Sequence, residues 1–236
     1  MSLIRSSLIV VPGAATPANI IPEILWWKLN EGSGTAITAD VGPDGTWSTA
    51  LYWGDGYAGD AGAAWGGGTH EIVSNSAINP GTDKITVTFW LKQPSLATQY
   101  IVEFPDAFNT NDATFQITST SAGKLTAKVL SYVAAASAST VHTTDDSCLT
   151  AGQWHFVAVT LDYNHDDDIG RCQIFVDGTE FVDTSPTRNK NPASNGNFGT
   201  HAVTIGPIKN AEFDDLRIYS GLLTEEQISA VMANPA

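Results

Sequence analysis

The side chains of this 236-residue chain that are suited to chemistry are its acids, its tryptophans and a few histidines and cysteines. Nucleophilic, metalloprotease and phosphoryl-transfer sites have recognisable local patterns. The chain contains no G-x-S-x-G elbow, no H-E-x-x-H and no P-loop. His70, His142, His155, His165 and His201 stand at no metal-ligand spacing. His155 lies beside Trp154 in a strand-like run, so it is expected to be structural. Cys148 and Cys172 are too few for a disulfide framework and lack the spacing of a zinc site. They read as buried or idle thiols, with their pairing left open.

The acids are more numerous, giving a formal net charge of −14 and a sequence pI of about 4.4. Such a surface repels a phosphate backbone, so no nucleic-acid partner is expected. Acidic loops can hold Ca²⁺ through oxygen ligands, or simply favour solubility. The run from Asp162 through Asn164 and Asp166 to Asp168 alternates oxygen side chains like the start of an EF-hand loop. Asp167 replaces its turn glycine, however, and Gln173 replaces its bidentate glutamate. A solvated acidic turn between two hairpin strands is expected there.

Aromatic rings on an open face make flat apolar platforms for ligands. Most of the seven tryptophans are expected in the core, and Trp26 and Trp27 must face opposite ways if extended. Trp90 and Phe175 point away from the faces that carry Val87 and Ile174. They are therefore the candidate ligand-binding residues.

The elements that position these residues are mostly strands. Short apolar or alternating runs at 24–29, 69–74, 85–92, 99–104, 113–118, 124–133, 138–143, 154–161, 171–177, 202–206 and 211–219 are separated by Gly, Asn, Asp and Pro clusters. Asp177-Gly178 marks a hairpin into a short strand near 180–183. The Gly- and Ala-rich stretch 54–68 reads as a long loop. In 211–219, period-two alternation places Glu212 and Asp214 with Leu216 and Ile218, and Asp215, Arg217 and Tyr219 opposite. One helix is predicted at the C-terminal end, with Thr224 and Gln227 at capping-box spacing and Pro235 beyond it. Residues 1–23 form an N-terminal arm and 24–236 one domain. The arm carries Pro12, Pro17 and Pro22, yet is too apolar for a solvated linker, so it should pack on its own domain or on a neighbouring subunit. Its apolar run Leu8–Val11 is shorter than a secretory signal requires, and no run reaches the roughly 20 residues of a membrane span.

Four segments together resemble laminin-G-like jelly-roll domains of the concanavalin A-like superfamily. They are LWWKLNEGSGTAITADVGPDG from Leu25, ITVTFWLK from Ile85, GQWHFVAVTLD with CQIFVDG between Gly152 and Gly178, and IGPIKNAEFDDLRIYSGLLTEEQI from Ile205. GAAWGGGTHEIV fits the same pattern, with Trp65 at a core aromatic position, and the resemblance spans roughly 24–232. It implies an all-β fold: a two-sheet antiparallel jelly-roll sandwich with one short C-terminal helix. It also implies a structural Ca²⁺ held by an early loop and a late strand, here Asp40, Asp44, Asp214 and Asp215. The alternative for Asp214 is a backbone-amide or Arg partner, because a buried carboxylate needs compensation.

Some proteins similar to this one are retaining laminarinase-type glycosidases with a Glu-x-Asp-x-x-Glu strand. Here Glu212 and Asp214 fit, but Arg217 stands at the acid/base position and cannot cycle a proton near neutral pH. The expectation is therefore a non-enzymatic recognition or structural module. Its first form is a surface or decoration component of an assembly such as a virion or tail. That form is anchored to protein subunits through residues 1–23 and located on a virion or extracellular surface. Its alternatives are a Ca²⁺-dependent glycan-binding lectin domain and a divergent glycosidase.

Overall fold

The computed structural model describes residues 20–47, 52–58, 60–64, 70–104, 113–133, 136–166, 169–187, 196–208 and 211–236. The first strands are short: β1 (Leu25–Trp27), β2 (Ala36–Ile37), β3 (Ala39–Val41), β4 (Gly45–Trp47), β5 (Tyr52–Asp55), β6 (Asp60–Ala64) and β7 (His70–Ser74). Longer ones follow: β8 (Lys84–Lys92), β9 (Gln99–Glu103), β10 (Ala113–Ser119), β11 (Leu125–Val133), β12 (Ala136–Thr143), β13 (Trp154–Asp166) and β14 (Ile169–Val176). The chain closes with β15 (Thr179–Phe181), β16 (Thr204–Ile208), β17 (Ala211–Ser220) and the helix α1 (Glu225–Met232).

These strands make two antiparallel sheets. One runs β15-β14-β13-β8-β17-β1-β3, with the β5–β6 hairpin added where β6 pairs with the first half of β17. The other runs β12-β11-β10-β9-β16-β7-β4-β2. Alternation decides what lies between them. Ile85, Val87, Phe89 and Leu91 of β8 and Val157, Val159 and Leu161 of β13 meet Ile72, Ile101, Phe115, Ala127 and Ile205 of the facing sheet in the main core. Trp27 is buried in that core, while Trp26, one residue earlier, turns outward. Gly45 lies close under the Trp27 ring, where a Cβ would crowd it at 3.0 Å.

A second, smaller cluster sits on the outer side of the first sheet. Trp90, Phe156, Ala158, Phe175 and Tyr219 are covered there by Ile228 and Val231 of α1. Thus β13 is apolar on both faces because both are covered. The helix starts where its capping box is written: the Thr224 side chain accepts from the Gln227 N–H, and the Gln227 side chain accepts from the Thr224 N–H. Thr224→Ala should cost about 1 kcal/mol of unfolding free energy in urea titration, by orphaning that first-turn donor. No change would mean that the cap does not hold the cover in place.

The expected strands are all present, with boundary shifts of a few residues. Residues 54–68 need correction over their described part. There the chain forms a hairpin, Tyr52–Asp55 against Asp60–Ala64, rather than a loop. What holds β6 is backbone pairing to Ala211–Phe213, and its Gly and Ala residues give no side-chain pattern that would announce it. Of the N-terminal arm, residues 1–19 lie outside the described residues. Ile20 packs against the outer cluster, and Glu23 accepts the Ser220 N–H at 3.1 Å.

Candidate functional site

β8 and β17 lie side by side, with Lys92 opposite Glu212, Leu91 opposite Phe213 and Trp90 opposite Asp214. Directly opposed residues project to one face, so Glu212, Asp214, Trp90 and Lys92 share the outer face. Uninterrupted alternation would next send Leu216 outward. Instead the register shifts between Asp214 and Arg217, and Asp215 takes a φ of 51°. This is a β-bulge, and it reverses the phase of the strand. Leu216 and Ile218 enter the core, while Arg217 and Tyr219 come out opposite Thr88 and Thr86. The expectation that Glu212 and Asp214 share a face with Leu216 and Ile218 is therefore wrong. The bulge brings Glu212, Asp214 and Arg217 onto one face.

Asp214 is fully buried, as expected, but by a different cover. Its Oδ2 accepts the backbone N–H groups of Tyr57 at 2.7 Å and Ala58 at 3.3 Å, in the turn between β5 and β6. That turn lays the Tyr57 ring flat on Trp90, with centroids 3.3 Å apart and planes 10° apart. Trp154 stands edge-on to Tyr57 at 6.4 Å, and Phe156 edge-on to Trp90 at 5.3 Å. Beside them the Lys92 ammonium pairs with Glu212 at 2.6 Å and lies 5.6 Å from the Trp154 ring centroid. Tyr57 is 44% exposed above the stack, whereas Trp90 beneath it is only 4% exposed. Two polar atoms under this cover, Asp214 Oδ1 and Trp90 Nε1, are buried without a hydrogen-bond partner among the described residues. Burial pushes the Asp214 carboxyl up to about 7, against the opposing pull of the Ala58 and Tyr57 amides.

Across β17, Asp215 answers Arg217. The guanidinium donates through Nε at 2.8 Å and Nη2 at 2.7 Å, and Trp26 Nε1 adds a third bond at 2.9 Å. Arg217 also stacks on the Trp26 ring at 4.6 Å and donates to the Asn234 carbonyl at 2.8 Å, tying down the chain after α1. A cleft of about 390 Å³ opens here, lined by Trp26, Lys28, Asn30, Arg217, Asn234 and Ala236 among others.

The residues expected to hold Ca²⁺ do not fit such a site. Asp40 pairs with Lys28, Asp44 accepts the Ala39 N–H, Asp214 accepts loop amides and Asp215 binds Arg217. Among the described residues, no three acidic, histidine or cysteine side chains converge on one point. Gly42 serves a turn, at φ 81° with its Cα against the Ile24 carbonyl, where a Cβ would come within 2.5 Å.

Trp90 lies on the outer face as expected, beneath Tyr57. Phe175 also points outward, but α1 lies over it and only 3% of it is exposed, so it presents no surface to a ligand. The distinction depends on where the helix docks, which strand alternation does not encode. Trp65 and Asp167–Asp168 lie outside the described residues. Asp162 is not a solvated turn residue: it is buried and pairs with Lys84 at 2.9 Å. His155 is structural, with Nδ1 on Asp177 at 2.7 Å and Nε2 accepting the Thr150 N–H at 2.9 Å. Cys148 and Cys172 are both buried, and no disulfide joins them. Tyr57, Trp154 and Lys92 were not singled out as site residues from the sequence. Tyr57 sat in a stretch read as loop, and only the pairing of β6 to β17 brings it over Trp90.

The two antiparallel sheets stacked face to face make a lectin-like architecture. The chain belongs to the concanavalin A-like lectin/glucanases superfamily, whose laminin-G family model matches residues 65–229. That superfamily, by its description, holds glucanases as well as lectins. No curated protein matches the chain by sequence. Among solved structures it resembles botulinum neurotoxin type C, in a study of cell entry dependent on two ganglioside molecules, at 13% identity and TM-score 0.59, over 90% of this chain and 51% of that one. It also resembles the binding domain of botulinum neurotoxin DC with SialylT, at 11% identity and TM-score 0.60, over 89% and 51%. The same binding domain with rat synaptotagmin II matches at 13% identity and TM-score 0.58, over 89% and 51%. The chain thus spans about half the length of these neighbours, and at such identity the likeness is one of fold. No described helix is long and apolar enough to cross a membrane.

Proposed function

We propose that this domain is a non-catalytic carbohydrate-recognition module that binds through the outer face of β8, β13 and β17. One observation carries the reading: the Trp90 and Trp154 rings, with Tyr57 lying over Trp90, are gathered beside the Lys92–Glu212 pair. Rings supply the flat apolar surface on which a sugar face stacks, and the adjacent charged pair supplies hydroxyl partners. The solved neighbours described with SialylT and gangliosides support the class of ligand. Arg217 supports the absence of hydrolysis. It occupies the third position of the Glu212, Asp214 pattern and is committed to Asp215, so no second carboxyl is placed there to protonate a leaving group. The competing reading, a component of an assembly anchored by residues 1–23, has no comparable structural support, because residues 1–19 lie outside those described.

The test is an array of β-glucan oligosaccharides, lactose and sialyllactose, read with and without EDTA. Binding should persist in EDTA, since the candidate calcium acids are otherwise engaged. Trp154→Ala removes a partly exposed ring and should weaken binding roughly ten-fold or more, as loss of an anchor residue does. A folded wild-type protein that binds nothing on the array, or a Trp154→Ala variant that binds equally well, would sink the proposal. Hydrolysis of β-glucan that Glu212→Gln abolishes would replace it with a glycosidase.

A further inference from the structure

We infer that Tyr57 is a built-in occupant of the sugar site, and that a neutral pyranose ring binds by displacing it from Trp90. The inference rests on the carbohydrate-recognition reading and adds how the site is regulated and which sugars it takes. Tyr57 is not part of the sandwich. It is carried over Trp90 by the turn of the β5–β6 hairpin, which contacts the face there through two N–H groups on one oxygen of Asp214. A phenol ring lying parallel on the indole covers about the footprint of a pyranose.

Beneath it, Trp90 and Asp214 are opposed across β8 and β17, and each holds a buried polar atom that Tyr57 leaves without a partner. Buried groups of this kind are rarely left unpaired, so each one calls for an explanation. Trp90 Nε1 is a donor, and Asp214 Oδ1 accepts when the carboxyl is ionised and donates when it holds the proton. A sugar edge, with hydroxyls beside an ether oxygen, satisfies both, and the face of the Tyr57 ring satisfies neither. Asp214 supplies its remaining hydrogen-bonding capacity to whichever group lies above it.

Charge decides the class of sugar. Glu212 is already neutralised by Lys92, Asp214 adds no positive charge, and the chain carries a net charge of −14. A carboxylated sugar would meet repulsion without a free cation to offset it, so the site favours neutral hexoses over sialic acid.

The experiment probes the same array with wild type, Tyr57→Ala and Trp154→Ala. Tyr57 is exposed at a turn, so its truncation should leave the sandwich folded. The affinity of a site that must first open is reduced by the fraction of time it is open, and an aromatic stack holds it shut. Tyr57→Ala should therefore bind β-glucan oligosaccharides about three- to ten-fold more tightly, with sialyllactose weakest throughout. Amide exchange provides a second readout. Saturating β-glucan hexasaccharide should speed exchange at Tyr57 and Ala58 in the wild type, as their bonds to Asp214 are released. Binding that is unchanged or weaker in Tyr57→Ala, or amides that stay protected with the sugar bound, overturns the occupant inference while leaving the carbohydrate reading intact. A preference for sialyllactose overturns the neutral-sugar part. Failure of every variant to bind overturns both readings.

Discussion

Arg217→Ala is expected to cost roughly 3–5 kcal/mol of unfolding free energy, the loss seen when one partner of a buried ion pair is removed. Both members are almost fully enclosed, with Arg217 1% and Asp215 3% exposed. The truncation strips two charge-assisted bonds from Asp215 and leaves it with the Trp26 indole N–H and the Ala236 N–H. It also frees the Trp26 ring and the Asn234 carbonyl, so the segment after α1 loses its anchor. The measurement is a urea midpoint at constant m-value. The pair variant Asp215→Asn with Arg217→Met should recover part of the loss, because it removes both charges, and asparagine tolerates the positive φ at this position. A loss below about 1 kcal/mol in the single variant would show that water reaches the pair and that it is not a buried tie.

The pH dependence of stability should carry the signature of Asp214. Its carboxyl is raised by burial from 3.8 to about 7 in the folded protein, while the unfolded chain keeps the ordinary value. Between those two values the folded state holds a proton that the unfolded state has released. The contribution of Asp214 is therefore fully present below about pH 4, falls as pH rises, and is gone above about pH 7. At about 1.4 kcal/mol per unit of separation, the change is on the order of 4 kcal/mol. Asp214→Asn keeps an oxygen for the Tyr57 and Ala58 amides but does not ionise. The stability of wild type relative to this variant should thus decline between pH 4 and pH 8 by a few kcal/mol. A flat difference across that range would mean that water already reaches the carboxyl. The same decline has a functional side: ionised Asp214 gains from exposure, so raising pH favours lifting the Tyr57 turn.

These outcomes depend on features that differ in how far the chain reveals them. The alternation of β8, the doubly apolar β13, the Asp177-Gly178 turn and the capping box of α1 are each written in a few adjacent residues. Local sterics and burial act on them directly. The short strands β2 to β6 are different. They carry too few side chains for a period, and β6 is held by β17, far along the chain. In the candidate site, the Glu212, Asp214 and Arg217 spacing could be read, but the face they occupy could not. An extra residue at Asp215 inverts the strand, and nothing in Glu-Phe-Asp-Asp-Leu-Arg marks it as a bulge.

By itself, then, the sequence determined the all-β class, the positions of the long strands, the terminal helix and the missing third carboxylate. All of these follow from residue type and near-neighbour spacing. Only the tertiary structure decided that Asp214 is buried under a turn and not in the core, that α1 seals Phe175, and that Tyr57 rests on Trp90. Each of these is a contact between segments distant in the chain. Its geometry is set by how two sheets, a bulge and a helix pack around one another, and no local pattern carries that information.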